Sequence, residues 1–279
     1  MSHFRHSKRI CDFITPAVAI FVGLLLTFPI FYGIFGAFKS PAEFSAYPPT
    51  FLPESFGYLE NFRNALTQMP YFRYLLNSSV VALLGTTMRL AFAILAAYAF
   101  AFYEFRGKRA LFFILLATMM FPADTLVVTN YLTITRLGLL NTYLAMSVTS
   151  FVGAAQMFML RQNFRTMPRA LREAAELDGC GDLRFLWRIL LPMSRPVVVT
   201  LFIQSFITIW NSYLWPLLVT SSNDMRTIQV GVAMLTSIED SNYYLVLAGA
   251  TLSMLPSFLL FIILRRNITK SMEAGPLTG

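Results

Sequence analysis

"REAAELDGCGDLRFLWRILLPMSRP", residues 172–196, carries seven acidic and basic side chains in its first seventeen positions, and long apolar runs lie on both sides of it. Pro168 suits the first turn of a helix, "PRALREAAELD" is built from strong helix formers, and Gly179 fits the left-handed residue that ends one. Asp182 is then placed to cap a second helix, "LRFLWRILL", which Pro192 stops. The expected local structure is helix, glycine turn, helix. In the second helix Leu183, Leu186, Trp187 and Leu190 recur at i, i+3, i+4 and i+7, with Arg184 and Arg188 on another face, so it can pack on the ends of the apolar runs. In the first, small Ala174 and Ala175 beside Glu173, Glu176 and Asp178 let a partner approach the backbone closely and still meet carboxylates. The plainer alternative is a solvated amphipathic loop in which Arg169/Glu173 and Arg172/Glu176 pair along the helix.

The chain around this stretch has 279 residues, 56% of them hydrophobic and only 13% charged, against roughly 25% charged in ordinary soluble domains. That is the profile of a membrane protein. A formal charge of +8 could suggest nucleic acid, but the basic residues lie between long apolar runs and do not interleave exposed aromatics, so no nucleic-acid partner is expected. Two cysteines, Cys11 and Cys180, make no disulfide framework, and the histidines, His3 and His6, sit at the extreme N-terminus, which argues against a zinc site or histidine-based catalysis. The basic start "MSHFRHSKR" followed by an apolar run imitates a signal peptide, yet the run is too long and lacks a small-x-small cleavage site, so it is expected to be an uncleaved first span.

A bilayer core needs about 20 apolar residues per helix. Six stretches qualify, roughly 13–38, 74–103, 110–132, 143–163, 196–219 and 243–264. The expected domains are 1–73, holding the first span and an outer loop; 74–264, the helical core with the opening hairpin at about 166–195; and a tail, 265–279. Sixteen Lys and Arg fall on one side of the spans, seven of them between Arg161 and Arg195, against five on the other (Lys39, Arg63, Arg73, Arg136 and Arg226). The positive-inside rule therefore assigns both termini and the hairpin to the cytoplasm. Between Lys39 and Arg73, "SAYPPTFLPESFGYLENF" is rich in Pro and aromatics and is expected to be a compact loop on the outer membrane surface.

"EAAELDG" followed by "ILLP" resembles the EAA loop of type I ABC importer permeases: Glu173, Ala174, Ala175, Asp178, Gly179, Ile189, Leu191 and Pro192 match, and Cys180 replaces the more usual alanine. The similarity extends to "AAYAFAFYEFRGKR", "LGLLNTYLA", "WNSYLWPLL" and "EAGPLTG", which together resemble a MalG-type permease of the carbohydrate-uptake subfamily. The resemblance implies an all-α membrane protein of six transmembrane helices with a cytoplasmic EAA coupling hairpin. It also implies a bacterial inner-membrane location, a MalF-like second permease, two copies of a cytoplasmic ABC ATPase and an extracytoplasmic solute-binding protein. In that family the EAA helix docks in a cleft of the ATPase, so Glu173 would pair with a basic residue there while Ala174 and Ala175 seat the helix. The chain has no G-x-x-x-x-G-K-[ST] phosphate loop, so ATP and Mg belong to the partner ATPase and no cofactor is expected in this chain.

An ionisable group inside a span is expensive and a functional candidate by default. Arg89, in "GTTMRLAFAILAAYAF", either snorkels or pairs with a carboxylate such as Asp124, or faces the pathway and receives an anionic or hydroxylated solute. Trp210, Asn211 and Tyr213 in "WNSYLWPLL" are either an interfacial aromatic belt or pathway lining, and lining is the preferred reading. That wording and the basic residue at position 89 resemble the glycerol-3-phosphate branch more than the maltose branch; a neutral sugar or oligosaccharide is the alternative solute. Asn223, Asp224 and Arg226, in the outward loop "SSNDMRTIQVGVAMLTSIEDSN", resemble the family's segment that reaches into the binding protein; a hydrated loop is the alternative. "SMEAGPLTG" is similar to tails that touch the ATPase pair. Two rival classes fit less well. An ion-coupled secondary transporter would need carboxylates in several spans, where Asp124 alone is a plausible one, and a membrane enzyme would need a catalytic cluster.

Overall fold

The computed structural model describes residues 2–237 and 243–273, with side chains described for 15–122, 125–168, 170–236 and 243–263. All regular structure in those residues is helical. Among the described residues, three helices are long and apolar enough to cross a membrane: Thr15–Gly36, Tyr71–Phe102 and Tyr243–Ile263. Asp182–Met193 and Arg195–Trp210 form a fourth, broken element, bent by 81°.

The other apolar stretches are built from shorter helices. In the 110–132 stretch the helix Lys108–Thr118 ends before Pro122, which lacks an N–H and disfavours helix at Phe121, and the chain resumes through a 3-10 turn into Val127–Arg136. The 143–163 stretch is divided into Tyr143–Val148 and Ala154–Arg165 around extended Gly153. The 196–219 stretch ends one helix at Trp210 and starts another, Leu214–Val219. A hydropathy window averages over such interruptions, because each is only a few residues long and is flanked by apolar runs.

The chain divides into two compact units. One comprises 1–70 with 232–253, the other 71–231 with 254–279. In the first, the expected compact loop is tied down internally. The Asn61 amide donates to the carbonyls of Ala37 and Lys39 at 2.9 and 2.8 Å, Lys39 Nζ donates to the Thr50 carbonyl, and Phe51 and Phe56 pack on Phe35.

In the second unit the long helix Tyr71–Phe102 is the spine, packed against Ala154–Arg165 and Arg195–Trp210. Gly85 lets it come close to Arg195–Trp210, since a Cβ there would lie 2.9 Å from Ile209 Cδ1. Its buried core runs through Leu90, Ala97, Leu160, Phe164 and Leu201 and continues into the opening stretch through Ala175, Phe185, Leu186 and Leu190. The hairpin is thus part of the same packed core as the apolar helices. A solvated loop would leave that face exposed.

Polar ties fix the far end of this unit. Asn77, fully buried in the spine, donates to the carbonyls of Asp224 and Arg226 at 2.8 and 2.9 Å and accepts the Tyr143 hydroxyl at 2.7 Å. Asn141, at φ 58, accepts from the Ser221 and Ser222 backbone N–H groups, a left-handed position that asparagine tolerates. Replacing Asn77 by Leu takes the acceptor from the half-buried Tyr143 hydroxyl and a donor from the half-buried Arg226 carbonyl, at about 1–3 kcal/mol each, while the exposed Asp224 carbonyl keeps Arg73. The Asn77→Leu transporter is expected to melt at least about 5 °C lower in a fluorescence-detected thermal scan; an unchanged midpoint would show that the amide is not what holds the 223–226 segment.

Candidate functional site

The hairpin begins with the helix Arg169–Leu177 and ends it with a left-handed Gly179, φ 72. Gly179 N–H donates to the Glu176 carbonyl at 3.0 Å and Cys180 N–H to the Ala175 carbonyl at 2.8 Å, the paired bonds of a Schellman stop. Those bonds satisfy carbonyls that the helix end would leave open, so the turn expected at Gly179 is present and has a physical reason.

The second helix departs from expectation in three respects. Asp182 is the first helical residue and Gly181 takes the cap position without a side-chain bond. The helix widens into a π turn at Leu186–Leu190, which rotates the later residues. Phe185, Leu186 and Leu190 are buried, whereas Leu183 and Trp187 are 66% and 59% exposed, so the inward face is not the one that the i, i+3, i+4, i+7 pattern implies. The helical run that starts at Asp182 goes one residue past Pro192, to Met193, and the 81° bend comes at Ser194.

Asp182 has other work than capping. Its carboxylate accepts the Tyr98 hydroxyl at 3.1 Å and the Tyr103 hydroxyl at 2.5 Å, and pairs with Arg172 Nη2 at 3.3 Å. Arg172 in turn pairs with Glu176 at 2.8 Å, donates Nη1 to the Phe102 carbonyl at 3.1 Å and lies over the Phe102 ring. One carboxylate and one guanidinium thus join both arms of the hairpin to the end of the spine. Hydrogen bonding to Tyr103 holds the Asp182 carboxyl below its ordinary range, and the same bond raises Tyr103. The Arg172/Glu176 helix pair is present as expected, while the Arg169 side chain lies outside the described residues.

The outward face of the first helix consists of Glu173, Ala174, Leu177 and Asp178, all exposed, a stripe at i, i+1, i+4 and i+5. Of the two alanines, Ala174 faces out and Ala175 is buried in the chain's own core. Leu177 is 90% exposed, a large apolar side chain that the sequence reading passed over; its signal is an unpaired leucine immediately before Asp-Gly. Gly179 and Pro192 are exposed and Leu191 is half-buried.

Deeper in the unit, half-buried Arg89 donates Nε to the Ser150 carbonyl at 2.7 Å. That carbonyl lies in the unwound turn before Gly153, and an unpaired backbone group at membrane depth is costly, so the guanidinium satisfies what the helix break opens. A Cβ on Gly153 would meet Gln156 Oε1 at 2.2 Å and Arg89 Cγ at 3.0 Å. Glycine is what lets both side chains cross the break. Gln156, buried and polar, was not singled out in the sequence, where nothing but its place in an apolar stretch marks it. The Asp124 side chain, named as a partner for Arg89, lies outside the described residues.

Trp210 is 2% exposed and stacks on Phe206 with centroids 5.6 Å apart. Asn211 and Tyr213 are exposed, and Asn211 Oδ1 accepts from Gln229 at 3.4 Å. Asn223 and Asp224 are exposed in a 3-10 turn, Arg226 is half-buried, and the Asp224 carbonyl also accepts from Arg73 Nε at 3.0 Å. The tail 274–279 lies outside the described residues.

Comparison with known proteins is consistent across the chain. Residues 89–273 match the family described as binding-protein-dependent transport system inner membrane component. The chain is 30% identical over 262 residues to the arabinooligosaccharides transport system permease protein AraQ of Halalkalibacterium halodurans, covering 93% of this chain and 94% of that one. It is 31% identical over 258 residues to the sn-glycerol-3-phosphate transport system permease protein UgpE of Rhizobium meliloti, covering 89% and 91%. Its fold matches a chain from the crystal structure of a bacterial ABC transporter involved in the import of the acidic polysaccharide alginate, with TM-score 0.81 and 22% identity over 93% of this chain and 97% of that one. A chain matched over this length belongs to the family of binding-protein-dependent transport system inner membrane components, and is a non-catalytic permease subunit of an ABC importer of the sugar and glycerol-3-phosphate kind.

Proposed function

We propose that this subunit forms half of the transmembrane pathway for glycerol-3-phosphate or a related glycerol phosphodiester, moved inward without chemical change. In this reading the chain crosses the inner membrane six times with both termini in the cytoplasm. It pairs with a MalF-like second permease and receives its drive from two ATPase copies, which bind ATP and Mg, through Glu173, Ala174, Leu177 and Asp178. Ala175, Gly179, Leu191 and Pro192 shape the hairpin behind that face. Asn223, Asp224 and Arg226 meet the solute-binding protein, while Asn211 and Tyr213 line the pathway, with Trp210 and Asp124 beside it.

The observation that carries the anionic reading is Arg89. Its Nε is taken by the Ser150 carbonyl, and among the described residues no carboxylate pairs with it. A guanidinium fork in that state suits a phosphate, whose charge-assisted bonds contribute about 1.5–3 kcal/mol. A neutral oligosaccharide is the second reading, favoured by the similarity to the arabinooligosaccharide permease, which equals that to the glycerol-3-phosphate proteins.

The test is uptake of labelled glycerol-3-phosphate and of a neutral arabinooligosaccharide by vesicles holding the complete transporter and its solute-binding protein. The wild type is expected to take up the phosphate ester, and Arg89→Ala to reduce that uptake about ten-fold. Arg89→Lys, which keeps a donor for Ser150, separates loss of the fork from loss of the backbone tie. Wild-type uptake confined to the neutral sugar would overturn the assignment.

A further inference from the structure

Beside the hairpin, on the far side of Ala154–Arg165, the structure holds an open cavity of about 1060 Å³ that no part of the transport reading uses. It lies where the spine ends and the helix Lys108–Thr118 begins, and four cations line it: Lys108, Arg109, Arg161 and Arg165. The one acid in the lining, Glu104, is paired with Lys108 at 2.9 Å. Among the described residues no carboxylate pairs with the three arginines. Such an excess of positive charge on one wall is unfavourable unless an anion or water answers it.

Arg161 is held in place for an anion. Its guanidinium stacks on Phe112 at 4.1 Å and its Nε donates to the Phe100 carbonyl at 3.2 Å, which fixes the plane and leaves the terminal nitrogens with no bonding partner among the described residues. Next to this polar floor the surface is apolar. Phe113, Ile114 and Leu111, on the outer side of Lys108–Thr118, are 68%, 59% and 49% exposed. A fixed guanidinium, two further arginines and an adjoining aliphatic and aromatic wall, at the boundary of a membrane-spanning helix, match a molecule with a phosphate head and hydrocarbon tails.

We infer that this cavity is a binding site for an anionic phospholipid of the cytoplasmic leaflet, with the headgroup phosphate on Arg161 and Arg165 and the acyl chains along Phe113 and Ile114. The leaflet follows from the proposed orientation; the headgroup site does not depend on it. The core links this site to the coupling hairpin, because Leu160 and Phe164, on the same helix as Arg161 and Arg165, pack in one cluster with Ala175 and Leu186. Lipid occupancy therefore bears on how firmly the hairpin is held.

The experiment uses the complete transporter reconstituted with equal amounts of phosphatidylglycerol and phosphatidylcholine, re-extracted, and weighed by native mass spectrometry. Phosphatidylglycerol is expected to be retained in preference to phosphatidylcholine. Arg165→Gln, an exposed position, is expected to lower that retention about five-fold, and Arg161→Gln with Arg165→Gln more than about ten-fold. Equal retention of both lipids, or unchanged phosphatidylglycerol in the double variant, would overturn the proposal. Inorganic phosphate displacing the lipid at millimolar concentration would assign the site to a free anion. A photo-crosslinker replacing Phe113 that captures the second permease and not lipid would make the cavity a subunit contact. The orientation is read separately: with Cys11 and Cys180 replaced by Ser, Arg106→Cys should escape a membrane-impermeant thiol reagent added outside cells. Labelling there would reverse the leaflet while leaving the headgroup measurement intact.

Discussion

Glu173→Lys leaves the chain in the membrane and reduces uptake by at least about a hundred-fold. Glu173 is exposed, and a surface ion pair along a helix is worth only about 0.3–0.5 kcal/mol, so reversing its charge costs the fold little. At a docked interface the same reversal sets like charges together, which costs several kcal/mol, enough for a hundred-fold loss of association. Leu177→Asp is a second probe of the same face. A leucine 90% exposed in the isolated chain contributes little to its folding, but seated in a cleft of the ATPase it would be an anchor. Both variants should reach the membrane fraction at the wild-type level and fail to copurify the ATPase. Normal copurification and uptake with both would remove the docking role from this face.

The stripe Glu173, Ala174, Leu177 and Asp178 also shows where sequence reasoning stops. Helix formers, a glycine at the C′ position and a proline at the start are local signals, and they place the helix and its end correctly because each acts through bonds within a few residues, as the Glu176–Gly179 and Ala175–Cys180 bonds do. Which of two adjacent alanines faces inward is a tertiary matter, decided by the core formed with Leu160, Phe164 and Leu186. The partners of Asp182 were invisible for the same reason. Tyr98 and Tyr103 lie about eighty residues earlier, and an aspartate after a glycine reads as a cap until those hydroxyls are brought to it. Family likeness proposes a coupling role for the motif but says nothing of its inward and outward faces. Hydropathy located the apolar stretches, yet the breaks at Pro122 and Gly153 fall inside them, where polar demands are met by distant groups such as Arg89 at the Ser150 carbonyl.

Asp182→Ala is expected to separate ATP hydrolysis from transport. The carboxylate is the meeting point of three donors, two on the spine end and its following residue and one on the first hairpin helix. Removing it leaves the buried Tyr98 hydroxyl with only its long 3.4 Å bond to the Asp182 backbone carbonyl, and Arg172 with Glu176 and the Phe102 carbonyl. The outward face keeps its side chains, so the ATPase still docks, but a docked hairpin held to the spine by its apolar core and Arg172 alone passes less of its movement to the membrane helices. Solute moved per ATP hydrolysed should fall about ten-fold, with Asp182→Asn intermediate because one oxygen acceptor survives. The pH dependence has a definite sign. A carboxyl whose folded value is held below its ordinary 3.8 contributes its full stabilisation above that value and loses it only as the pH falls further. Coupling in the wild type should therefore be level through neutral and mildly acidic pH. Measuring hydrolysis and uptake on the same vesicles decides the matter: a parallel fall in both, at unchanged ATPase copurification, would mean that Asp182 supports the docked ATPase and not the transmission of its motion.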